Sequence, residues 1–226
     1  KVVIFTSGLL TFGSGVGIAM SVVYRERSQL QSLIVEKKVD LPAEFANVKS
    51  LKASSYSLGN FYYSQEMTIR YIVDSGTPRS ILRGTDDIRP DITVEDGSAK
   101  VTFKNSAKQN RASWLGGFEV PSLIIYGPAL DDLTVEQGNF EYVSESQTRQ
   151  NSLKISSLGA TAISLSGIYE RLEVSGAGDV DAGPGTVYDL VVNAKEFGTV
   201  RAGTVRNLAV TYGEACQRTY HTGSNV

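Results

Sequence analysis

The sequence predicts an all-β fold in which short strands stack into a solenoid, and three features of residues 130–213 indicate it. Apolar triplets that begin with leucine recur every 18 to 20 residues, and glycine lies five residues before three of those leucines. A second short apolar segment follows most of the triplets. Such a period is typical of coils that bury one another's apolar faces, so we expect a parallel β-helix over about residues 60–215. The triplets begin at Leu133, Leu153, Leu172, Leu190 and Leu208.

Alternation within each triplet predicts which side chains are buried. Successive residues of a strand point to opposite faces, so Leu172 points inward and Glu173 points outward. If the coils stack at a spacing of about 4.8 Å, each inward leucine lies beside the next one, and its burial contributes roughly 1.5–3 kcal/mol. The outward residues agree with this alignment, because Lys154 falls beside Glu173 and Arg171 beside Asp189, which are pairs of opposite charge.

A second strand is expected after each triplet, and its apolar centre is flanked by polar or small residues. Residues 178–183, Gly-Asp-Val-Asp-Ala-Gly, are the clearest copy. Glycine tolerates the positive φ that sharp corners between strands require, so these residues mark the corners of a coil. The aligned apolar centres are Phe140, Ile163, Val180 and Val200.

Composition limits the function classes. The chain has 226 residues, 41% of them hydrophobic, which is enough for one domain with a sizeable core plus an appendage. A net charge of −2 argues against a general nucleic-acid binder. Cys216 is the only cysteine, so no intrachain disulfide can form, and His221 is the only histidine. Zinc sites built from several His and Cys, and triads that need a supported internal histidine, are therefore excluded.

The N-terminal region carries an uncharged stretch, residues 2–24, between Lys1 and Arg25. About 20 apolar residues cross a bilayer as a helix, so residues 1–27 are expected to form a single-pass transmembrane anchor. Two alternatives remain: a cleaved signal peptide, or a buried strand–turn–helix with a glycine-rich turn at residues 13–17. In a membrane helix, the spacing of Gly13 and Gly17 would allow close approach of a second copy.

The remaining chain divides into a polar segment and a β domain. Residues 28–58 are expected to form a stalk or linker, since Leu41-Pro42 interrupts any helix. Residues 59–226 are expected to form the β-helix domain. Within it, residues 92–103 predict a hairpin through the turn at Asp96-Gly97. The β-rich composition favours an extracytoplasmic location for the domain on the cell membrane.

Several segments together resemble the GIN-type domain family, described as a candidate adhesin head of autotransporters. The segments are Val94-Glu95-Asp96-Gly97, residues 121–126, Leu130-x-x-Leu133-x-Val135 and residues 172–180. The resemblance covers about residues 60–215 and implies a right-handed parallel β-helix on a bacterial cell-envelope protein. It supplies no catalytic residue. The sequence departs from the family pattern at residues 194–197 and in the last coil, which ends at Cys216.

Several acidic and aromatic clusters are candidate sites. Asp179 and Asp181 flank the inward Val180, and paired carboxylates can hydrolyse glycosides; a solvated coil edge with Arg201 as neighbour is favoured. Asp86-Asp87 and Asp131-Asp132 are interpreted as turn residues and not as calcium ligands. The aromatic residues at 56 and 61–63 could stack on sugars, although a strand edge is favoured. No catalytic, cofactor-binding or metal residue is assigned, and no cofactor is expected.

The predicted function is that of a membrane-anchored, non-enzymatic cell-envelope protein that presents a β-helix for adhesion, scaffolding or partner binding. The alternative is a carbohydrate-active enzyme on the same fold. The expected partners are the membrane and a protein or glycan, without nucleic acid. Weak self-association through residues 208–212 is a further hypothesis, and its alternative is that Tyr220 and His221 cover that end.

Overall fold

The computed structural model describes residues 34–55, 57–58, 65–85, 88–104, 122–144, 149–159, 161–194 and 198–212. Within these ranges the chain forms fifteen strands and one short 3-10 helix, Ala43–Asn47. The strands are β1 (Ile34–Val39), β2 (Ser50–Ser54), β3 (Ser57–Leu58), β4 (Gln65–Glu66), β5 (Thr68–Val73), β6 (Arg79–Thr85), β7 (Arg89–Glu95), β8 (Ser98–Lys104), β9 (Ser122–Gly127), β10 (Asp132–Val143), β11 (Arg149–Ser157), β12 (Thr161–Ser166), β13 (Ile168–Gly176), β14 (Asp179–Ala194) and β15 (Val200–Tyr212).

One sheet contains thirteen of these strands, and β3 and β4 form a separate pair. Most neighbours in the large sheet run parallel, as the stacked triplets predict. Three pairings within the large sheet are antiparallel: β1 with β6, β6 with β9, and β7 with β8. The predicted all-β composition of the domain is therefore confirmed for the residues described.

The predicted fold class of the domain, a right-handed parallel β-helix, is wrong. The pairings return to their starting point, from β10 through β11, β13, β14 and β12 back to β10. The sheet is thus a closed, barrel-like structure. Closure arises because β10 and β14 are long and each pairs with different strands at its two ends. The repeat period reveals which strands are neighbours, but it does not reveal that the strands continue around the corners.

Glycine makes the corner inside β10 possible. Gly138 has a φ of +91°, and a Cβ at this position would lie 1.8 Å from the Ser55 hydroxyl oxygen. A residue with a side chain would therefore be strained at this position and would clash with Ser55, which follows β2. Before this corner β10 pairs with β2 and β11, and after it with β5 and β12.

The predicted register of the inward leucines is confirmed along most of the stack. Leu172 lies opposite Leu153 on one side and Leu190 on the other, and Leu190 lies opposite Leu208. The first triplet differs, since Leu133 lies opposite Ile155 and not Leu153. Both residues are apolar and buried, so a shift of two residues keeps the inward face intact.

The second strands and the outward pairs also follow the expected alignment. Phe140 pairs with Ile163, Ile163 with Val180, and Val180 with Val200. Lys154 lies beside Glu173 and Arg171 beside Asp189, as predicted. The predicted hairpin is confirmed as well: β7 and β8 pair through a turn in which Asp96 and Gly97 have φ of 49° and 75°.

Two expectations concern the N-terminal region: the transmembrane helix and the stalk. The predicted transmembrane helix over residues 2–24 lies outside the described residues; within the described part of the chain, no helix has the length and apolar character needed to cross a bilayer. Part of the expected stalk is placed in the sheet, because β1 pairs with β6 and β2 pairs with β8 and β10. Phe45, Val48 and Leu51 are buried, which explains why this segment packs on the domain.

Candidate functional site

A depression of about 420 Å³ lies on the outer face of the sheet, over β12 and its neighbours, and we call it the β12 groove. Its floor is β12, whose outward residues Ala162 and Ser164 are small and exposed. The inward residues of the same strand, Ile163 and Leu165, are buried. The groove therefore follows from the alternation of β12 and from the short side chains on its outer positions. The lining residues are Thr68, Asn139, Phe140, Glu141, Ala162, Ile163, Ser164, Asp179, Val180, Asp181, Thr199 and Arg201.

Longer polar side chains on the adjacent strands form the walls. Asn139 of β10 and Asp179 of β14 lie in register with Ala162, one on each side. Thr68 of β5 lies next to Asn139, and Thr199 donates its backbone N–H to Asp179 Oδ1 at 3.0 Å. In this row of the groove, an amide, a carboxylate and hydroxyl groups surround the methyl group of Ala162, which forms the floor.

A second row lies two residues further along the strands and carries more charge. Glu141 and Asp181 flank Ser164, and Arg201 lies in register with Asp181. On the far side of Glu141, Arg70 forms an ion pair with it at 3.3 Å between Nε and Oε2. The expected neighbour relation between Asp181 and Arg201 is confirmed by the register.

Backbone donors hold both aspartates. Gly183 N–H donates to Asp181 Oδ1 at 2.8 Å, as Thr199 N–H does to Asp179. Hydrogen bonds from N–H groups to a carboxylate are among the stronger ones in proteins, so each side chain is held in one orientation. One oxygen of each carboxylate is used in this way, and among the described residues the other accepts no protein hydrogen bond.

This arrangement suits binding better than hydrolysis. A carboxylic acid that protonates a glycosidic oxygen near neutral pH usually lies in apolar surroundings. Asp179 and Asp181 are both exposed on the sheet surface. One oxygen of each carboxylate also accepts a structural hydrogen bond from a backbone N–H. This bond would have to break before that oxygen could take part in a reaction. The groove therefore offers hydrogen-bond acceptors and donors on an exposed surface.

The other residues considered in the sequence do not join the groove. Asp131 and Asp132 are exposed where β10 begins, and the Asp131 N–H donates to Lys49 O at 2.7 Å. Within the described ranges, His, Cys, Asp and Glu form no group of three or more that could hold a metal. The remaining candidates lie outside the described residues: Asp86-Asp87, Tyr56, residues 61–63, Cys216 and His221.

Asn139, Glu141, Ser164, Thr68 and Thr199 were not recognised from the sequence as parts of a site. A usable signal existed for three of them. The apolar centres Phe140, Ile163 and Val180 were aligned correctly, and the residues on either side of each centre must then form two outward rows. The participation of β5 could not be inferred, because that strand ends at Val73, far before β10 begins at Asp132, and it carries no copy of the repeat.

Comparison with solved structures shows several proteins to which this chain is similar. A crystal structure of a "putative adhesin" from Bacteroides fragilis has a TM-score of 0.50 and 14% identity, covering 80% of this chain and 94% of that chain. A "putative adhesin" from Parabacteroides merdae has a TM-score of 0.47 and 11% identity, with 80% and 79% coverage of the two chains. One from Parabacteroides distasonis has a TM-score of 0.44 and 10% identity, with 79% and 78% coverage.

At sequence level there is no corresponding match. No protein-family profile and no curated protein matches this chain. The resemblance to the GIN-type family therefore stays a prediction. At 14% identity, the similarity to the Bacteroides fragilis structure shows a shared fold and nothing finer.

Proposed function

We propose that this chain is a non-enzymatic, cell-surface binding domain that mediates adhesion, and that the β12 groove is its binding site. The observation that carries the proposal is the groove itself. It combines a polar wall on β10, a polar wall on β14 and a floor of small residues. Binding sites are concave and use a few precisely held polar groups to orient a ligand, and the two backbone-anchored aspartates are groups of this kind.

The names of proteins with a similar fold agree with this proposal. The Bacteroides fragilis protein is described as a "putative adhesin". This support comes from names and fold, since a common fold can serve many functions. The proposed location outside the cytoplasm rests on the same ground.

The test is adhesion of beads coated with the full chain to bacterial and animal cell surfaces. Ser164→Phe places a bulky ring on the groove floor, at an exposed strand position where an aromatic residue is well tolerated. Ser152→Phe is the matched control, because Ser152 is an exposed serine on β11 and does not line the groove. We expect Ser164→Phe to reduce bead adhesion at least tenfold and Ser152→Phe to leave it within twofold.

Two results would contradict the proposal. Beads that bind no cell surface better than uncoated beads would argue against an adhesive function. Adhesion that Ser164→Phe and Ser152→Phe leave equally intact would place the binding surface elsewhere on the molecule. Far-UV circular dichroism and the urea midpoint of each variant establish that the fold is retained.

A further inference from the structure

We infer that the β12 groove binds a carbohydrate chain that carries no acidic groups, through hydrogen bonds from side chains alone. The inference rests on the proposed function and specifies the ligand class of the same site. It follows from the shape of the groove, from its hydrogen-bonding groups and from its charge, each of which excludes a different class of ligand.

The shape of the groove matches a single extended chain. Its walls stand on β10 and β14, which are separated by β12, so they are two strand spacings or roughly 10 Å apart. The floor continues along β12 from Ala162 to Ser164 without a large side chain. A chain of sugar rings can lie along this floor and present hydroxyl groups from both edges to the walls.

The hydrogen-bonding groups match hydroxyls. A hydroxyl donates one hydrogen bond and accepts others, and a carboxylate only accepts. Asp179 and Asp181 each offer an oxygen that accepts no protein hydrogen bond among the described residues, in a side chain already oriented by a backbone N–H. The Asn139 amide and the Arg201 guanidinium add donors on the two walls. Charged acceptors make the stronger hydrogen bonds to sugar hydroxyls, so ligand hydroxyls are better served here than ligand carbonyls.

The charge of the groove disfavours acidic ligands. Three carboxylates line it, Glu141, Asp179 and Asp181, and Arg201 is the one cationic lining residue among those described. Arg70 neutralises part of Glu141 from outside the groove. A uronate, sialyl or phosphate group would meet net negative charge at close range, whereas neutral and amino sugars would not.

An extended peptide fits less well. Peptides that bind along a sheet usually add a strand to a free edge, but β12 is already paired with β10 on one side and β14 on the other. The apolar lining residues Phe140, Ile163 and Val180 point into the core and are at most 2% exposed, so they form no pocket for a side-chain anchor. The groove therefore lacks both of the features on which peptide recognition depends.

The same lining predicts a low affinity for a single site. No tyrosine or tryptophan ring stands among the lining residues described, so stacking on sugar rings does not contribute there. We expect a dissociation constant on the order of 1 mM for an isolated oligosaccharide. Strong attachment would then depend on many copies of the domain meeting a dense glycan surface.

The experiment presents the full chain on multivalent beads to an array of neutral, amino and uronic-acid glycans printed at equal density. We expect binding to neutral or amino glycans, at least tenfold above binding to uronic-acid glycans of the same linkage. Ser164→Phe should reduce this binding at least tenfold, and Ser152→Phe should leave it within twofold. The double change Asp179→Asn and Asp181→Asn should lower the ratio of binding to neutral or amino glycans over binding to uronic-acid glycans.

The possible results distinguish an error in the inferred ligand class from an error in the proposed adhesive function. A preference for acidic glycans, or glycan binding that Ser164→Phe does not reduce, overturns the inference. Cell adhesion that depends on Ser164 but occurs without binding to any arrayed glycan also overturns it, while the proposed function stands. Absence of both adhesion and glycan binding refutes the two together. Release of shortened sugars from the array would show hydrolysis and overturn the non-enzymatic assignment.

Discussion

The phenol rings of Tyr71 and Tyr142 lie parallel in the core, with their centroids 5.6 Å apart and 3° between their planes. The two residues face each other across β5 and β10. Tyr71 donates its hydroxyl hydrogen to Pro128 O at 2.7 Å, and Tyr142 donates to Gln150 Oε1 at 3.0 Å. The rings are fully buried, and their hydroxyls link the inside of the closed sheet to the segment that precedes β10.

The hydrogen bonds of Tyr142 predict a measurable loss of stability in Tyr142→Phe. The Leu130 N–H donates to the Tyr142 hydroxyl at 3.1 Å, and Gln150 Nε2 donates to Leu130 O at 2.6 Å. Removal of the hydroxyl leaves a buried N–H and a buried amide oxygen without this partner, and each such group costs about 1–3 kcal/mol. We expect urea unfolding to show a loss of at least 2 kcal/mol. Tyr126→Phe, on the half-buried outer face, should cost less than about 0.5 kcal/mol. Equal losses of unfolding free energy in the two variants would contradict a stabilising role for the hydrogen bonds around Tyr142.

Buried tyrosines predict unfolding at alkaline pH. Burial raises the pKa of Tyr142 to about 12, and it raises the pKa of Tyr71 and Tyr169 well above their ordinary value near 10. The folded state therefore keeps three protons that the unfolded chain loses above pH 10, so stability is complete below pH 10 and falls as the pH rises towards 12. Each tyrosine contributes a slope of about 1.4 kcal/mol per pH unit.

Ultraviolet absorbance at alkaline pH and far-UV circular dichroism would test this dependence. The buried tyrosines should ionise together with loss of the β signal and not before it. In Tyr142→Phe the slope of unfolding free energy against pH should fall by about a third, because one of three tyrosines is removed. Full ionisation of all tyrosines in a protein that is still folded would be evidence against their burial.

The inward column predicts a large difference between two adjacent positions on β13. Leu172 is 0% exposed, between Leu153 and Leu190, and Leu172→Asp would bury a charge without a partner. We expect a loss of at least 4 kcal/mol, or failure to fold. Glu173 points outward and lies 3.8 Å from Arg171 at the exposed surface, so Glu173→Gln should change stability by less than about 0.5 kcal/mol. Similar effects of the two changes in a thermal or urea unfolding assay would refute the assignment of faces.

The last strand predicts self-association, which we propose as a property of the isolated chain. Among the described residues β15 pairs only with β14, and Leu208 is 45% exposed although its neighbour Leu190 is 4% exposed. A strand edge that has no partner among the described residues, beside an exposed leucine, favours addition of another strand, such as β15 of a second copy. Sedimentation at increasing concentration should show a dimer, which Leu208→Lys weakens. Thr204→Lys adds the same charge at an exposed position of β15 and should have the smaller effect. A strictly monomeric wild-type chain would exclude the proposal.

The strand pairs were predictable because their signal is local and repeated. In β13 and β14, Leu172 and Leu190 occupy equivalent places in neighbouring repeats, and burial of both enforces the observed register. The same logic aligned Phe140, Ile163 and Val180, although the groove formed by the residues beside them was not predicted. It was less successful at Leu133, where Ile155 is an equally apolar partner two residues from the expected one and the pattern does not distinguish them.

Alternation and the repeat of 18 to 20 residues were thus enough to determine the all-β class, the neighbouring strands of residues 149–212 and their inward faces. The tertiary structure alone decided that the sheet closes, that β1 and β2 join it, and that β5 stands beside β10. These features depend on contacts between segments far apart in the chain, such as Ile69 with Phe140, whose free energy comes from shared burial and not from any local preference. Closure also depends on Gly138, whose positive φ turns β10 from one set of partners to another. The groove depends on both the sequence and the tertiary structure. The sequence has small residues at the outward positions of β12, and the closed sheet places polar side chains on either side of them.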